Sequence, residues 1–223
     1  MANSGVKTNF KKTISIKMKY YNLLACLALF FSLTVKSQNS EIGFRTGLNL
    51  ATLRTGGDSG RSTETLTRLN FSLSYEFSFS NHFGLDAGLG FQGKGGGDFD
   101  EESRLRIGID NFKRKLDYVS ATTLFRYYPF NNLKFRPFIA IGPGFSYLIK
   151  TDQLGNKIAE ENIRSKLDIS SIAGIGAKFS LNENLKFEVL GGFDRGWSKT
   201  IRQQNESLFN QMFWFSVGLK KDI

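Results

Sequence analysis

The stretch RLNFSLSYEFSF, residues 68–79, alternates apolar and polar side chains along its whole length. One face would carry Leu69, Phe71, Leu73, Tyr75, Phe77 and Phe79, and the other Arg68, Asn70, Ser72, Ser74, Glu76 and Ser78. A repeat of two residues is the period of a β-strand, because successive side chains of a strand point to opposite faces of its sheet. The stretch therefore predicts a strand with one apolar and one polar face.

Segments with the same alternation recur to the end of the chain. They cover residues 43–53, 83–92, 118–128, 135–149, 167–179, 185–193 and 212–220. With the first stretch they make about eight strands, and no long amphipathic helix competes with them. Even numbers of antiparallel strands are typical of bacterial outer-membrane barrels. We predict an all-β fold, an antiparallel up-and-down transmembrane β-barrel of about eight strands.

The predicted connections alternate in length. Short turns rich in Ser, Asn and Pro lie at 80–82, 129–132 and 180–184. Long connections lie between them, at 54–66, 94–115, 150–166 and 198–210. Outer-membrane barrels have short periplasmic turns and long outer loops, so this alternation predicts the same orientation here, with both termini on the periplasmic side.

The polarity of the two strand faces indicates whether the outside of this barrel contacts lipid or water. The second face of the strands is largely Gly, Ser, Asn and Ala, whereas the outer face of a soluble sandwich is rich in long charged residues. Small residues suit a crowded lumen, and aromatic residues near strand ends, such as Phe79, Phe83, Tyr127 and Tyr128, suit the lipid interfaces. The apolar face is therefore predicted to contact lipid. A soluble periplasmic ligand-binding β-barrel is the alternative.

The N-terminal segment has the features of a secretory signal. Residues 1–37 contain six lysines and no acidic residue, and residues 23–35 are nearly all apolar. This apolar stretch is too short to span a bilayer. We predict cleavage around Ser37 and Gln38, which leaves residues 38–223 as the barrel domain. Met18 is an alternative start, because the run from there is a conventional signal by itself.

Removing the signal changes the charge of the chain. The full sequence has 30 basic and 20 acidic residues, and loss of the six signal lysines leaves 24 basic residues and a net charge of +4. The mature part offers no basic stripe or nucleic-acid-binding module, so we predict no nucleic-acid partner. The one cysteine, Cys26, lies in the signal, and a disulfide scaffold is excluded.

Three motifs resemble catalytic or binding sites. GDSG at 57–60 repeats the sequence around a protease nucleophile, but the only histidine, His82, is predicted at the opposite side of the membrane. GLGFQG at 88–93 has dinucleotide-site spacing, but a glycine run follows it in place of a helix. The acidic run Asp98, Asp100, Glu101 and Glu102 does not match an EF-hand and is interpreted as a solvated loop. We predict no catalytic, metal or cofactor site.

Charged residues on the predicted lumen face form the candidate site. Strand direction places eight of them near the periplasmic end: Arg45, Glu76, Asp86, Arg126, Arg136, Lys178, Lys186 and Glu188. A small barrel has an interior just wide enough for side chains to fill it, and buried charges need partners or water. We predict a salt-bridged plug at this end that blocks passive diffusion, with independently hydrated charges as the alternative.

Several glycine-bearing segments carry a family resemblance. GFRTGLNLATL from residue 43, GLDAGLGFQGKG from 84, YVSATTLFRYYPF from 118, FRPFIAIGPGFSYLI from 135 and WFSVGLKK from 214 resemble the PorT-like outer-membrane β-barrel family of Bacteroidota. The resemblance spans nearly the whole mature chain and includes no catalytic signature. It implies residence in the outer membrane and, for some relatives, assistance to secretion across the envelope.

These observations favour a non-enzymatic integral outer-membrane protein with a structural, partner-binding or envelope-secretion-associated role. A narrow pore for small solutes is the alternative within the membrane. The expected partners are outer-membrane lipid and lipopolysaccharide, the barrel assembly machinery during insertion, and an envelope protein. A fold of this kind hosts many roles, so the specific one has to be argued from a site.

Overall fold

The structure is a computed structural model that describes residues 39–56, 62–97, 113–130, 134–153, 163–203 and 206–223. The predicted signal, the GDSG motif and the acidic run at 98–102 lie outside these residues. The strands are β1 (Asn39–Thr55), β2 (Leu66–Ser78), β3 (Phe83–Gly96), β4 (Arg114–Tyr127), β5 (Phe135–Gln153), β6 (Leu167–Ser180), β7 (Leu185–Gly196), β8 (Ile201–Gln203) and β9 (Glu206–Asp222). No helix in the described ranges is long and apolar enough to cross a membrane.

Eight long strands close into an antiparallel barrel. Strands β1 to β7 pair in chain order, β7 pairs with β9, and β9 pairs with β1 to complete the wall. The prediction of about eight strands in an all-antiparallel fold is thereby confirmed. The short β8 pairs with the start of β9, inside the connection that was predicted to be a loop at 198–210. Several long strands also extend beyond the predicted bounds, because hydrogen-bonded pairing continues after the alternation of side chains ends.

The barrel is strongly staggered. Following paired residues once around the wall from Leu50 of β1 leads through Phe213, Phe193, Ala173, Ile141, Phe125, Leu85 and Phe77 and back to β1 at Ser40. The path returns to β1 ten residues before its starting point. Such a stagger requires tilted strands, by about 35–45° in barrels generally. Tilt brings residues of different strands to the same level of the lumen.

The apolar faces of the strands point away from the lumen. Phe71 is 50% exposed and Leu73 is 63% exposed, whereas the neighbouring Ser74 is 3% exposed. The same holds around the wall, where aromatic and aliphatic side chains cover the outside. A continuous outer surface of exposed aromatic and aliphatic side chains is favourable in contact with hydrocarbon and unfavourable in contact with water. The outward faces therefore form the lipid-contacting surface of the barrel.

The two ends of the barrel differ. At one end, here called the turn end, short connections join β2 to β3, β4 to β5 and β6 to β7. The turn after β6 is closed by Asn182, whose Oδ1 accepts hydrogen bonds from the backbone N–H groups of Asn184 and Leu185 at 3.0 and 2.8 Å. The opposite end, here called the loop end, carries the longer connections. This is the arrangement of outer-membrane barrels, with the turns in the periplasm.

At the loop end, β3 and β4 lean over the lumen together. Pairing of β3 with β2 ends at Gln92, whereas pairing of β3 with β4 continues to Gly96. Gly95 has a φ of 122°, a conformation that suits glycine. The carbonyl of Gly93 accepts a hydrogen bond from the Asn49 side chain of β1 at 2.9 Å, so β3 reaches past β2 on the inside. The glycine run that prevents a helix therefore allows this hairpin to cover the lumen.

Candidate functional site

A cluster of charged side chains fills the lumen at the turn end, with Arg126 at its centre. Arg126 is 0% exposed and lies 3.0 Å from Glu76 Oε2, 2.5 Å from Glu188 Oε2 and 3.2 Å from Asp86 Oδ2. Lys220 contacts two of the same carboxylates, at 2.7 Å from Glu76 and 2.5 Å from Asp86. These five residues come from five different strands, so their contacts tie the barrel wall together across its interior.

Further ion pairs extend this centre in both directions. Toward the loop end, Arg45 Nη2 lies 2.8 Å from Asp86 Oδ1. Toward the turn end, Lys178 Nζ bridges Glu41 Oε2 at 2.5 Å and Glu76 Oε2 at 2.8 Å. At the edge, Lys186 Nζ bridges Glu41 Oε1 at 2.8 Å and Asp222 Oδ1 at 2.7 Å. The ion pairs are continuous from Arg45 to the last residues of β9.

We call this set the turn-end cluster: Glu41, Arg45, Glu76, Asp86, Arg126, Lys178, Lys186, Glu188, Lys220 and Asp222. It contains five acids and five bases, so its formal charge is zero. Burial of an unpaired charge costs several kcal/mol, and only close pairing with additional hydrogen bonds offsets that cost. The equal numbers and short distances indicate that all ten groups are charged together.

Aromatic rings pack against the cations of the turn-end cluster. The guanidinium carbon of Arg126 lies 4.3 Å from the ring centroid of Phe138, and the Tyr128 hydroxyl donates a hydrogen bond to Glu76. Leu124 and Ile172 pack with these rings in one buried apolar group. A ring beside a desolvated cation contributes electrostatic attraction as well as packing. The lumen at this level is filled by the described side chains.

The structure brings six of the eight predicted residues into direct ion pairs with one another: Arg45, Glu76, Asp86, Arg126, Lys178 and Glu188. Lys186 joins them through Glu41. Arg136 differs, because its Nη2 donates to the carbonyl of Asn81 at 3.0 Å and its guanidinium lies over the Tyr128 ring. Among the ion pairs of the described residues Arg136 has none, since it sits at the rim, where a turn carbonyl is the nearer acceptor.

Three members of the turn-end cluster were not predicted from the sequence. Glu41 and Asp222 lie beyond the predicted bounds of the first and last strands, 43–53 and 212–220. Lys220 lies within those bounds, and its inward position could have been predicted from the sequence. Phe213, Phe215 and Leu219 point outward, so the same alternation places Lys220 in the lumen.

A second polar group, here called the loop-end cluster, lies under the β3–β4 hairpin. It consists of Lys94, Tyr118, Asp168, Asp194 and Asn210. Lys94 Nζ is 3.0 Å from Asp168 Oδ2 and 3.5 Å from Asp194 Oδ2. Asn210 Nδ2 is 2.9 Å from Asp168 Oδ2 and 3.1 Å from the Tyr118 hydroxyl. Because Lys94 reaches from β3 to β6 and β7, it fastens the leaning hairpin to the opposite wall.

An apolar layer lies in the lumen at the same level. Leu53, Leu116, Tyr118, Leu148 and Leu208 are buried against one another. Between this layer and the turn-end cluster lies a cavity of about 50 Å³. Its lining combines apolar residues such as Leu124, Ile172 and Trp214 with the polar residues Asn49, Asn70, Ser120, Thr122 and Ser216. At roughly 10–15 Å³ of such volume for one water, it has room for a few water molecules. Described side chains therefore fill the lumen on both sides of this small cavity.

Removal of the Lys94 charge is predicted to loosen the loop end. Lys94→Met keeps most of the side-chain volume but leaves the Asp168 and Asp194 carboxylates without their cation. We expect the free energy of unfolding to fall by roughly 1.5–3 kcal/mol, the usual value of hydrogen bonds to charged groups. Urea unfolding of the refolded protein in detergent measures it. Lys115→Met, an exposed lysine on the same hairpin, is the control and should change stability by less than about 0.5 kcal/mol. Equal losses in both variants would contradict the anchoring role of Lys94.

Among the described residues, those that could suggest an enzyme lie apart from one another, and the GDSG motif and the acidic run lie outside the described ranges. His82 lies in the exposed turn before β3, where its backbone N–H donates to Ser80 Oγ at 3.2 Å. GLGFQG at 88–93 lies within β3, so its glycines belong to the barrel wall and do not precede a helix. Within the ranges that the structure covers, no group of three His, Cys, Asp or Glu is placed to hold a metal ion.

Comparison with protein families identifies the chain. Residues 36–202 match the family described as outer membrane protein beta-barrel domain, and the match covers most of the sequence. The chain belongs to this outer-membrane β-barrel domain family. The protein is accordingly an outer-membrane protein, which agrees with the lipid-facing surface of its barrel. A soluble periplasmic barrel is not favoured. A search among curated proteins finds no match.

Solved structures of outer-membrane barrels resemble the chain. The outer membrane protein OprG of Pseudomonas aeruginosa has 12% sequence identity and a TM-score of 0.50, over 84% of this chain and 97% of OprG. Neisserial surface protein A has 10% identity and a TM-score of 0.47, over 82% and 96%. The outer membrane protease OmpT of Escherichia coli has 10% identity and a TM-score of 0.43, over 84% and 98%. At these identities the similarity concerns the fold alone.

Proposed function

We propose that this protein is a non-enzymatic, non-conducting barrel that acts through its loops and its periplasmic rim, as a structural or partner-binding component of the outer membrane. The turn-end cluster carries this proposal. Its ten paired charges occupy the lumen where a solute would have to leave it, with cross-lumen distances such as 2.5 Å between Lys220 and Asp86. A barrel that does not conduct offers only its surfaces for function.

The energetic cost of opening supports a closed lumen. A path past Arg126 would separate it from Glu76 and Glu188, and a buried charge that loses its partner costs several kcal/mol. A second opening would be needed at the loop end, where Lys94 and the apolar layer close the interior. Because both closures lie in series, thermal opening of the two together is rarer than opening of either alone.

The resemblance to PorT-like proteins suggests the class of partner. It is carried by the segments at 43–53, 84–95, 118–130, 135–149 and 214–221. We propose an envelope protein as partner and a role associated with secretion across the envelope, in a protein that is exported by its predicted signal at 1–37. The barrel then serves as a membrane anchor whose rim or loops hold that partner.

Planar-bilayer recordings test the closed lumen. We expect the purified protein to give no conductance steps above the lipid baseline under conditions in which a porin with an open channel gives clear steps. Heat-modifiable migration on a denaturing gel establishes that the inserted protein is a folded barrel. Reproducible single-channel steps from folded protein would overturn the proposal and favour the narrow pore for small solutes.

Site-specific photo-cross-linking in intact cells tests the surface role. A photoreactive residue in place of His82, in the turn before β3, or of Ser165, before β6, should give a discrete protein adduct if the partner contacts that end. Leu89, which faces lipid in mid-wall, is the control position and should give none. Adducts from the mid-wall position alone would contradict binding at the rim and loops.

A further inference from the structure

Three arginines lie along the outer third of β9, on the lipid side of the wall. Each is beside one of three successive outward residues of β9: Arg164 beside Ser207, Arg54 beside Phe209, and Arg195 beside Gln211. The intervening Leu208 and Asn210 point into the lumen and are buried. The three guanidinium groups therefore share one face of the barrel, although their strands and loops are far apart in sequence.

Two of the arginines lie over aromatic rings. The guanidinium carbon of Arg54 is 5.5 Å from the ring centroid of Phe209, and that of Arg195 is 5.2 Å from the ring of Trp197. Trp197 is itself held in place, because its Nε1 donates to Ser171 Oγ at 2.9 Å. A guanidinium that lies on a ring keeps its N–H edge free, and this edge matches the oxygens of a phosphate. The arrangement presents hydrogen-bond donors beside Phe209 and Trp197 on the outside of the barrel.

Two other cations at the loop end have carboxylate partners. Arg68 pairs with Asp117, and Lys150 Nζ lies 3.1 Å from Asp152 Oδ2. Among the side chains that the structure describes, Arg54, Arg164 and Arg195 form no ion pair with a carboxylate. Arg164 Nη1 has only the Ser207 hydroxyl at 3.3 Å, and the buried Nε of Arg54 has no hydrogen-bond partner among the described groups. Three arginines without a carboxylate partner among the described side chains thus lie on the β7–β9–β1 side of the rim, and two of them lie over aromatic rings.

We propose that these arginines form an outer-rim arginine site that binds the phosphate groups of lipopolysaccharide in the outer leaflet. The loop end faces the outside in outer-membrane barrels, so a ligand there is a phosphorylated lipid of that leaflet. Arginine binds phosphate through two parallel N–H groups, and such charge-assisted hydrogen bonds are stronger than neutral ones. This proposal is separate from that of a closed lumen, because it requires only that the protein resides in the outer membrane. Evidence that the lumen conducts would therefore not affect it.

Binding of lipid A to the purified barrel in detergent, measured by native mass spectrometry, tests the site. The triple variant Arg54→Gln, Arg164→Gln and Arg195→Gln is expected to bind lipid A about tenfold to a hundredfold more weakly than wild type, from roughly 1 kcal/mol for each cation near an anionic surface. The control variant Lys115→Gln, Lys150→Gln and Lys166→Gln removes the same charge from the β4–β6 side and should bind as wild type does. Heat-modifiable migration shows that each variant is folded.

Two further measurements identify the group that is recognised. Wild type is expected to bind phosphorylated lipid A more tightly than dephosphorylated lipid A with the same acyl chains, and inorganic phosphate at the same concentration should not displace it. If the triple variant does not fold, the single variants should each weaken binding by a few fold. Equal weakening by the lysine control, equal binding of dephosphorylated lipid A, or displacement by free phosphate would overturn the proposal.

Discussion

Arg126→Met is expected to lower the free energy of unfolding of the barrel by about 3–5 kcal/mol, the cost of breaking a buried ion pair by removal of one partner. Methionine has a similar volume and fills the space beside Phe138, so the loss comes from the charge. Glu76, Asp86 and Glu188 then share the remaining cations, and the acids outnumber the bases. Urea unfolding in detergent, followed by loss of heat-modifiable migration, measures the change.

Arg136→Met is the matched control for this substitution. Arg136 also points into the lumen from a strand of the same barrel, but its contacts are a turn carbonyl and the ring of Tyr128. A partly exposed hydrogen bond of this kind contributes about 0.5–1.5 kcal/mol. If Arg136→Met destabilised the protein as much as Arg126→Met does, the central position of Arg126 would have no special role and the network description would fail.

Gly142→Ala is expected to cost about 3 kcal/mol or more and to lower the yield of folded barrel. A Cβ at this position of β5 would lie 1.9 Å from the carbonyl oxygen of Thr123 and 3.1 Å from Leu124 Cα on β4. Both are main-chain atoms, so relief requires the two strands to separate and to lose ladder hydrogen bonds. Overpacking of this kind typically costs 1–3 kcal/mol and occasionally more. The fraction that folds into lipid vesicles, read from gel migration, measures the effect.

Gly191→Ala adds the same methyl group where the wall has room for it. The nearest atom to its Cβ is the Trp214 carbonyl oxygen at 3.4 Å, an ordinary van der Waals contact. We expect folding yield and stability to stay within about 0.5 kcal/mol of wild type. Loss of folding in both alanine variants would mean that the glycines act through the unfolded or inserting chain and not through the close approach of β4 and β5.

The candidate site could be predicted in part from local alternation. Every second residue of a strand points to the same face of the sheet. This rule alone places five charged residues on the lumen face: Arg45, Glu76, Asp86, Arg126 and Glu188. The ends of the strands carry no such signal, since pairing continues where alternation has stopped. Glu41 and Asp222 were missed for that reason, whereas Lys220 lay within reach of the same rule.

The loop-end cluster could not be predicted from the pattern. Lys94 lies in a glycine run that was predicted to be a loop, at 94–115, and its partners Asp168 and Asp194 lie on β6 and β7. Only the departure of β3 from β2 after Gln92 brings Lys94 across the lumen to them. A glycine run has no preferred path of its own, so the surrounding wall decides where it goes.

What the sequence by itself determined is the strand content and the face that each strand shows to lipid, because both follow from a two-residue period that is local to each segment. What only the tertiary structure decided is which charges meet. Lys186 pairs with Glu41 although 145 residues separate them, and Arg54 lies beside Phe209 because β9 closes onto β1. The closure of the barrel and its stagger of ten residues determine which side chains come into contact. Both are properties of the whole barrel and not of any single segment.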